Sequence, residues 1–223
     1  MRYDPDPFVV DPFDAPEAER AKKSVAALTK LVAEVKAGRL HEDVFFARAR
    51  SGFSDLKPET GRHWLWRVHH RHNEIWKCLG RPNWSVAAYR SWRDQYLATP
   101  VSQRLDRHGH PRKHTFPKKE AGALGLRHEH VVPMGLMLQA LLDGRVTPDD
   151  AIRLNQDAII TIGEDRRLDR SGHPDLRDPW SRYAGTGIRF LPNPSWLPEH
   201  RASLEAHDLV ASPDEVNEIV GPI

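Results

Sequence analysis

Residues 126–133 read Leu126-Arg127-His128-Glu129-His130-Val131-Val132-Pro133, and residues 158–162 read Ala158-Ile159-Ile160-Thr161-Ile162. Both read as strands; the second is β-branched and short enough to be a buried one. Between them, Met134 to Leu142 predicts a helix closed by Asp143-Gly144, and Thr147-Pro148-Asp149-Asp150 predicts the start of another, since threonine is a good cap and proline suits the first helical position. Asn155-Gln156-Asp157 breaks that helix. After the second strand, Gly163 to Arg170 predicts a short helix stopped by Ser171-Gly172. The local order is strand, helical insertion, strand, helix.

Working outward, the first hundred residues predict helices only. Pro16 to Ala37 carries Val25, Leu28, Val32 and Val35 at helical spacing and ends at Gly38. Shorter or longer helices follow over about His41–Arg50, Arg62–Leu79 and from an Asn83 or Ser85 cap to Leu97. The expected organisation is a helical region over 1–100 and a chemistry-bearing region over 101–223. Toward the end, Arg182 to Phe190 predicts an extended segment entered through glycine turns, and Glu199 to His207 a helix docked by Leu204.

The 223 residues include 33 Lys+Arg and 31 Asp+Glu, with 39% hydrophobic and 29% charged residues, enough for a core and too polar for a membrane protein. No run of about 18 apolar residues offers a bilayer span. Met1 to Asp14 does not read as a signal peptide, and the single cysteine, Cys78, excludes an internal disulfide and a Cys-rich zinc site; the expected compartment is the cytoplasm. Charge is unevenly placed: net −1 over 1–61, +10 over 62–119 and −7 over 120–223. The basic block is interleaved with Trp64, Trp66, Trp76, Trp84 and Trp92, which are expected as core rather than as base-stacking platforms. Its last part, 104–119, loses periodicity and holds six basic residues and three histidines. It predicts a loop that orders on nucleic acid, with Arg107, Arg112, Lys113, Lys118, Lys119 and the nearby Arg127 as phosphate contacts, or else a solvated linker. His63, His69, His70 and His72 are expected mainly as a basic helix face; Arg67 and His72 also fit an Arg-x₄-His spacing that resembles the active motif of helical HEPN ribonucleases.

Glu129-His130-Val131-Val132-Pro133 resembles the first strand of HNH-type nucleases, the His-Me finger or ββα-metal family, and Ile159 to Asp165 resembles its second strand and helix. The resemblance covers about 45 residues. It implies an antiparallel two-stranded hairpin plus helix as a ββα-like finger, which together with the helical first half makes the expected fold α+β, mostly helical. It also implies His130 as general base, Glu129 as a metal ligand, Asn155 (or Gln156) as the group orienting the base, and Asp165 (or Glu164) as the second ligand. The expected cofactor is Mg²⁺ or Mn²⁺, with Zn²⁺ as a further option. The expected activity is hydrolysis of DNA phosphodiesters in restriction or defence, DNA ahead of RNA, with no membrane partner and a homodimer as a candidate assembly. The alternative is a nucleic-acid-binding protein that keeps the finger as scaffold.

The chemistry also stands without the family: phosphodiester hydrolysis needs a base for water and a cation for the growing charge. Geometry then sets a choice. Successive strand residues point to opposite faces, so Glu129 and His130 share a phosphate only if the strand bends, whereas His128 and His130 share a face on a regular strand. The second case predicts a two-histidine, one-carboxylate site of His128, His130 and Asp165, suited to Zn²⁺, Mn²⁺ or Fe²⁺.

Overall fold

The computed structural model describes residues 15–43, 45, 83–105, 107, 111–154, 156–168, 175–193, 196 and 198–220. The helices expected at 62–79 and over most of 41–50, the His63 to His72 cluster with Arg67, Trp64, Trp66, Trp76, and Asn155 lie outside the described residues. The elements in chain order are α1 (Ala15–Lys36), β1 (Asn83–Trp84), α2 (Val86–Ala98), α3 (Val101–Arg104), β2 (Leu126–His130), α4 (Met134–Leu142), α5 (Pro148–Leu154), β3 (Asp157–Thr161), α6 (Ile162–Asp165), α7 (Pro198–Ala206) and α8 (Pro213–Val220). They fall into two compact units, 83–129 with 157–220 and 15–45 with 130–156, and the division passes through the end of β2.

In the second of these units, α1 packs on α4 and α5. Leu28 of the predicted stripe is buried, with Val25, Val32 and Val35 half-buried, and Leu31, outside that stripe, is buried too, as are Met137, Leu138, Ala140 and Leu141 of α4 and Ala151 of α5. Thr147 caps α5 as its sequence suggests: its hydroxyl accepts from the Asp150 N–H at 3.1 Å, and the Asp150 carboxylate accepts from the Thr147 N–H at 3.0 Å.

The first unit holds a three-stranded sheet in the order β1-β3-β2. β1 runs parallel to β3, Asn83 opposite Ala158 and Trp84 opposite Ile159. The hydrogen bonds Ile162 N–H to Gly125 O (2.8 Å) and Val131 N–H to Gln156 O (2.9 Å) bracket β2 and β3 and make that pair antiparallel. The α+β class holds, but the expected two-stranded hairpin is corrected to this mixed sheet, and the all-helical reading of the first hundred residues is corrected by β1. A two-residue strand shows no periodicity, and its partner lies more than seventy positions away.

Ser85 ends β1 and caps α2, its hydroxyl accepting from the Ala88 N–H at 3.0 Å. The core beneath α2 gathers Trp84, Tyr89, Trp92, Phe116, Leu126, Ile159, Leu191 and Ile219, with Trp92 stacked on Phe116 at 5.8 Å. Trp84 and Trp92 are therefore core, as expected. Phe116 also anchors the aperiodic segment, whose described residues form short turns over Lys113–Thr115 and Lys119–Leu124. Gly125 closes this segment: a Cβ there would meet Lys118 O at 2.5 Å and the Ile162 side chain at 2.9 Å, so only glycine fits.

The C-terminal stretch is more ordered than its sequence suggests. Of the extended segment expected over Arg182–Phe190, the start belongs to a 3-10 turn, Pro179–Tyr183; turns at Gly185 and Gly187 follow with φ of 70° and 72°, and Phe190 then bridges to Ser85 and Val210. Trp180, Tyr183 and Phe190 form a second buried aromatic cluster with ring separations of 5.1–5.5 Å. Asp178 ties α7 to it, accepting from Ser203 and pairing with His207 at 2.6 Å. Burial alone would raise the Asp178 pKa, but the Ser203 and His207 hydrogen bonds and the imidazole charge outweigh it and hold the carboxyl below its ordinary value. Its folded-state pKa is depressed, so its contribution is present above the unfolded value and lost as pH falls through the folded one. Asp178→Asn is accordingly expected to lower the urea midpoint at pH 6, and the gap from wild type to narrow below about pH 4.

Candidate metal centre

Strand β2 alternates, and its two faces carry different chemistry. Leu126 points into the aromatic core with Ile159; two and four residues further on, His128 and His130 continue that face. The antiparallel pairing sets the start of β3 opposite the end of β2. Asp157, a buried carboxylate, is thereby brought to the two histidines. One ligand atom each from His128, His130 and Asp157 lies within 4.8 Å of the others. His128 Nε2 and Asp157 Oδ1 stand 3.3 Å apart, with the Asp157 side chain 1% and the His128 side chain 12% exposed. Donors at about 2.0–2.2 Å from one ion sit a little over 3 Å from each other, so this spacing fits shared coordination as well as an ion pair. Two half-buried imidazoles with a buried carboxylate at their base form a set that could hold a divalent cation.

The other face of β2 carries Arg127 and Glu129, and each is engaged by a residue distant in sequence. Glu129 accepts from Arg182 at 3.0 Å in a pair whose side chains are 17% and 7% exposed. Arg127 pairs with the buried Asp165 at 3.0 Å. Tyr183, wholly buried, lies under Arg182, whose guanidinium is 5.5 Å from the ring centroid. Burial first, and then the Glu129, Asp157 and Asp165 carboxylates, push the Tyr183 phenol far above its ordinary pKa, with Arg182 pulling the other way. It remains a neutral phenol near the carboxylates.

The structure thus groups His128 and His130 and separates from them the two carboxylates carried over from the HNH pattern, Glu129 and Asp165. Strand alternation favours the two-histidine arrangement; its carboxylate is Asp157 rather than Asp165. Glu164, the alternative to Asp165, is also elsewhere. Its buried carboxylate accepts from the Ser85 hydroxyl at 2.6 Å and from the Thr161 N–H at 2.8 Å, closing a capping box on α6. Glu164→Ala should cost about 2 kcal/mol, the range for hydrogen bonds to a charged group, read as a drop in the urea unfolding midpoint. Gln156, the alternative to Asn155, is half-buried, its main-chain carbonyl in the ladder and its side chain donating to Arg153 O at 3.2 Å.

The expected phosphate contacts are spread along the segment before β2. Arg107, Arg112 and Lys118 are exposed, while the side chains of Lys113 and Lys119 lie outside the described ones. Arg112 also braces the segment itself, its Nε donating to Leu105 O at 2.7 Å. Asp157 and Arg182 are the residues the sequence does not single out. Asp157 is legible only as part of a helix-breaking Asn-Gln-Asp run, since its role depends on the β2–β3 register. Among the described residues no helix is long and apolar enough to cross a membrane. Comparison with family models, curated proteins and solved structures gives no match for this chain.

Proposed function

We propose that the protein is a divalent-metal-dependent hydrolase of nucleic-acid phosphodiesters, DNA ahead of RNA, with His128, His130 and Asp157 as the metal ligands. The observation that carries this reading is the convergence of two imidazoles and one carboxylate on one face of β2 and β3. A bound divalent ion supplies charge neutralisation at the phosphate and a water acidified toward neutral pH. The protein's own residues do the rest. Asp157 brings negative charge that two neutral imidazoles lack, and three protein ligands leave positions open for water and substrate, as catalytic sites require. The imidazoles favour Zn²⁺, Fe²⁺ or Mn²⁺ over Mg²⁺, which prefers oxygen donors. With His130 among the ligands it is not the general base of this reading. The basic bias of 62–119, net +10, and the exposed Arg107, Arg112 and Lys118 suit a polyanionic substrate.

A second reading is favoured by one specific observation. Both carboxylates that match the HNH ligand positions are ion-paired to arginine, Glu129 to Arg182 and Asp165 to Arg127, which suits a non-catalytic nucleic-acid-binding scaffold. Plasmid nicking and gel retardation, run side by side with Mn²⁺, Zn²⁺ and Mg²⁺, separate the two. Nicking that requires the ion supports the hydrolase; retardation without nicking under any ion supports the scaffold.

A further inference from the structure

Asn83 stands where a strand former would be expected. Asparagine is depleted in strands, and a buried amide is retained only when both of its ends are satisfied. Asn83 is 2% exposed and opens β1. Its Nδ2 donates to the main-chain oxygen of Asp157 at 2.8 Å. Its Oδ1 accepts from the Trp196 indole N–H, and that ring is itself 8% exposed. Donor and acceptor together fix which way the amide faces.

The position of this link gives it consequence. In the β1–β3 register Asn83 lies opposite Ala158, so Asp157 sits one residue ahead of the first ladder pair on the β1 side. A side chain, rather than strand backbone, takes up the Asp157 carbonyl. Holding that peptide restricts the backbone angles of Asp157 and with them the direction of its carboxylate toward His128. We propose that Asn83, oriented by Trp196, is a positioning residue for the Asp157 metal donor. The inference rests on the reading of His128, His130 and Asp157 as a metal centre.

The test titrates Co²⁺ into the full chain, following its visible absorption, with Zn²⁺ competition as a second measure. Wild type is compared with Trp196→Phe, which keeps an aromatic ring at the position but loses the N–H together with the pyrrole half of the indole, with Asn83→Ser and with His128→Ala. Loss of an outer-shell partner typically weakens metal binding by about 10–100-fold. That loss is expected for Trp196→Phe and Asn83→Ser, with a changed Co²⁺ band, while His128→Ala removes the band. The metal-free Trp196→Phe chain should unfold at a lower midpoint, because buried ring volume is lost, but in one cooperative transition above the assay temperature, which separates positioning from loss of fold. Binding within twofold of wild type in both variants, alongside loss in His128→Ala, would overturn the positioning role and leave the metal centre standing. Should Asn83→Ser fail to fold, Trp196→Phe alone decides. A wild-type chain that binds neither Co²⁺ nor Zn²⁺ removes the centre and this inference together.

Discussion

Asp157→Asn and His128→Ala are each expected to lower ion-dependent nicking by at least about 100-fold, equivalent to about 2.7 kcal/mol of transition-state stabilisation. The expectation follows from where the donors sit. Asp157 is the only carboxylate among the described residues grouped with His128 and His130 as a ligand set, and its side chain is almost fully buried beside His128. Glu129→Gln and Asp165→Asn should behave differently. Their carboxylates face arginines on the opposite side of the strand, and the variants should lose stability while the folded fraction still binds Co²⁺. The HNH assignment makes the reverse forecast: Glu129→Gln and Asp165→Asn would abolish ion binding, His130→Ala would remove the base, and Asp157→Asn would keep its activity. Co²⁺ titration and nicking on the same five preparations decide between the two ligand sets.

Arg182→Met should destabilise the fold by about 3–5 kcal/mol, because it leaves the Glu129 carboxylate charged and largely buried without its partner. In a chain of this size each kcal/mol moves the thermal midpoint by roughly 2–4 °C, so the drop should exceed about 6 °C. The double variant Arg182→Met with Glu129→Gln should recover much of the loss, since the cost lies in the orphaned charge and not in the absence of the pair. Burial sets the size of the effect. The Arg90–Glu218 pair has nearly the same separation, 2.9 Å, but its side chains are 50% and 68% exposed, and Arg90→Met should cost no more than about 1 kcal/mol. Equal losses at the two sites would contradict this dependence on burial.

Elements whose signals are local emerge from the sequence near their observed limits. Met134 to Leu142 reads as a helix and is one, the Thr147 and Pro148 start signals mark α5, and Ser85 is among the two candidate caps for α2. These signals work because capping hydrogen bonds and helical periodicity act within a few residues. The misses share a different cause. The strand β1 has two residues, too few to show a period; α8, Pro213–Val220, is the exception, a miss with a local signal, since Ser212-Pro213-Asp214-Glu215 carries the same kind of start as Thr147-Pro148 and its Ser212 and Glu215 close a capping box. The segment 182–190 reads as extended because Gly185 and Gly187 signal turns without saying what they connect. Within 104–119, charge suggests a loop that orders on nucleic acid or a solvated linker, whereas Phe116 is buried against Trp92 and anchors the described part of the segment.

The sequence by itself determined that the chain is α+β, that Trp84 and Trp92 belong to the core, and that His128 and His130 share a strand face, because side-chain direction in a strand depends only on counting by twos. The tertiary structure alone decided which carboxylate lies with the two histidines. Choosing Asp157 over Asp165 requires the register between β2 and β3, which is fixed by hydrogen bonds between residues more than twenty positions apart. The capture of Glu129 by Arg182 and of Asp157 O by Asn83 likewise joins residues 53 and 74 positions apart. No local pattern encodes such pairings; they follow from how the strands and turns pack.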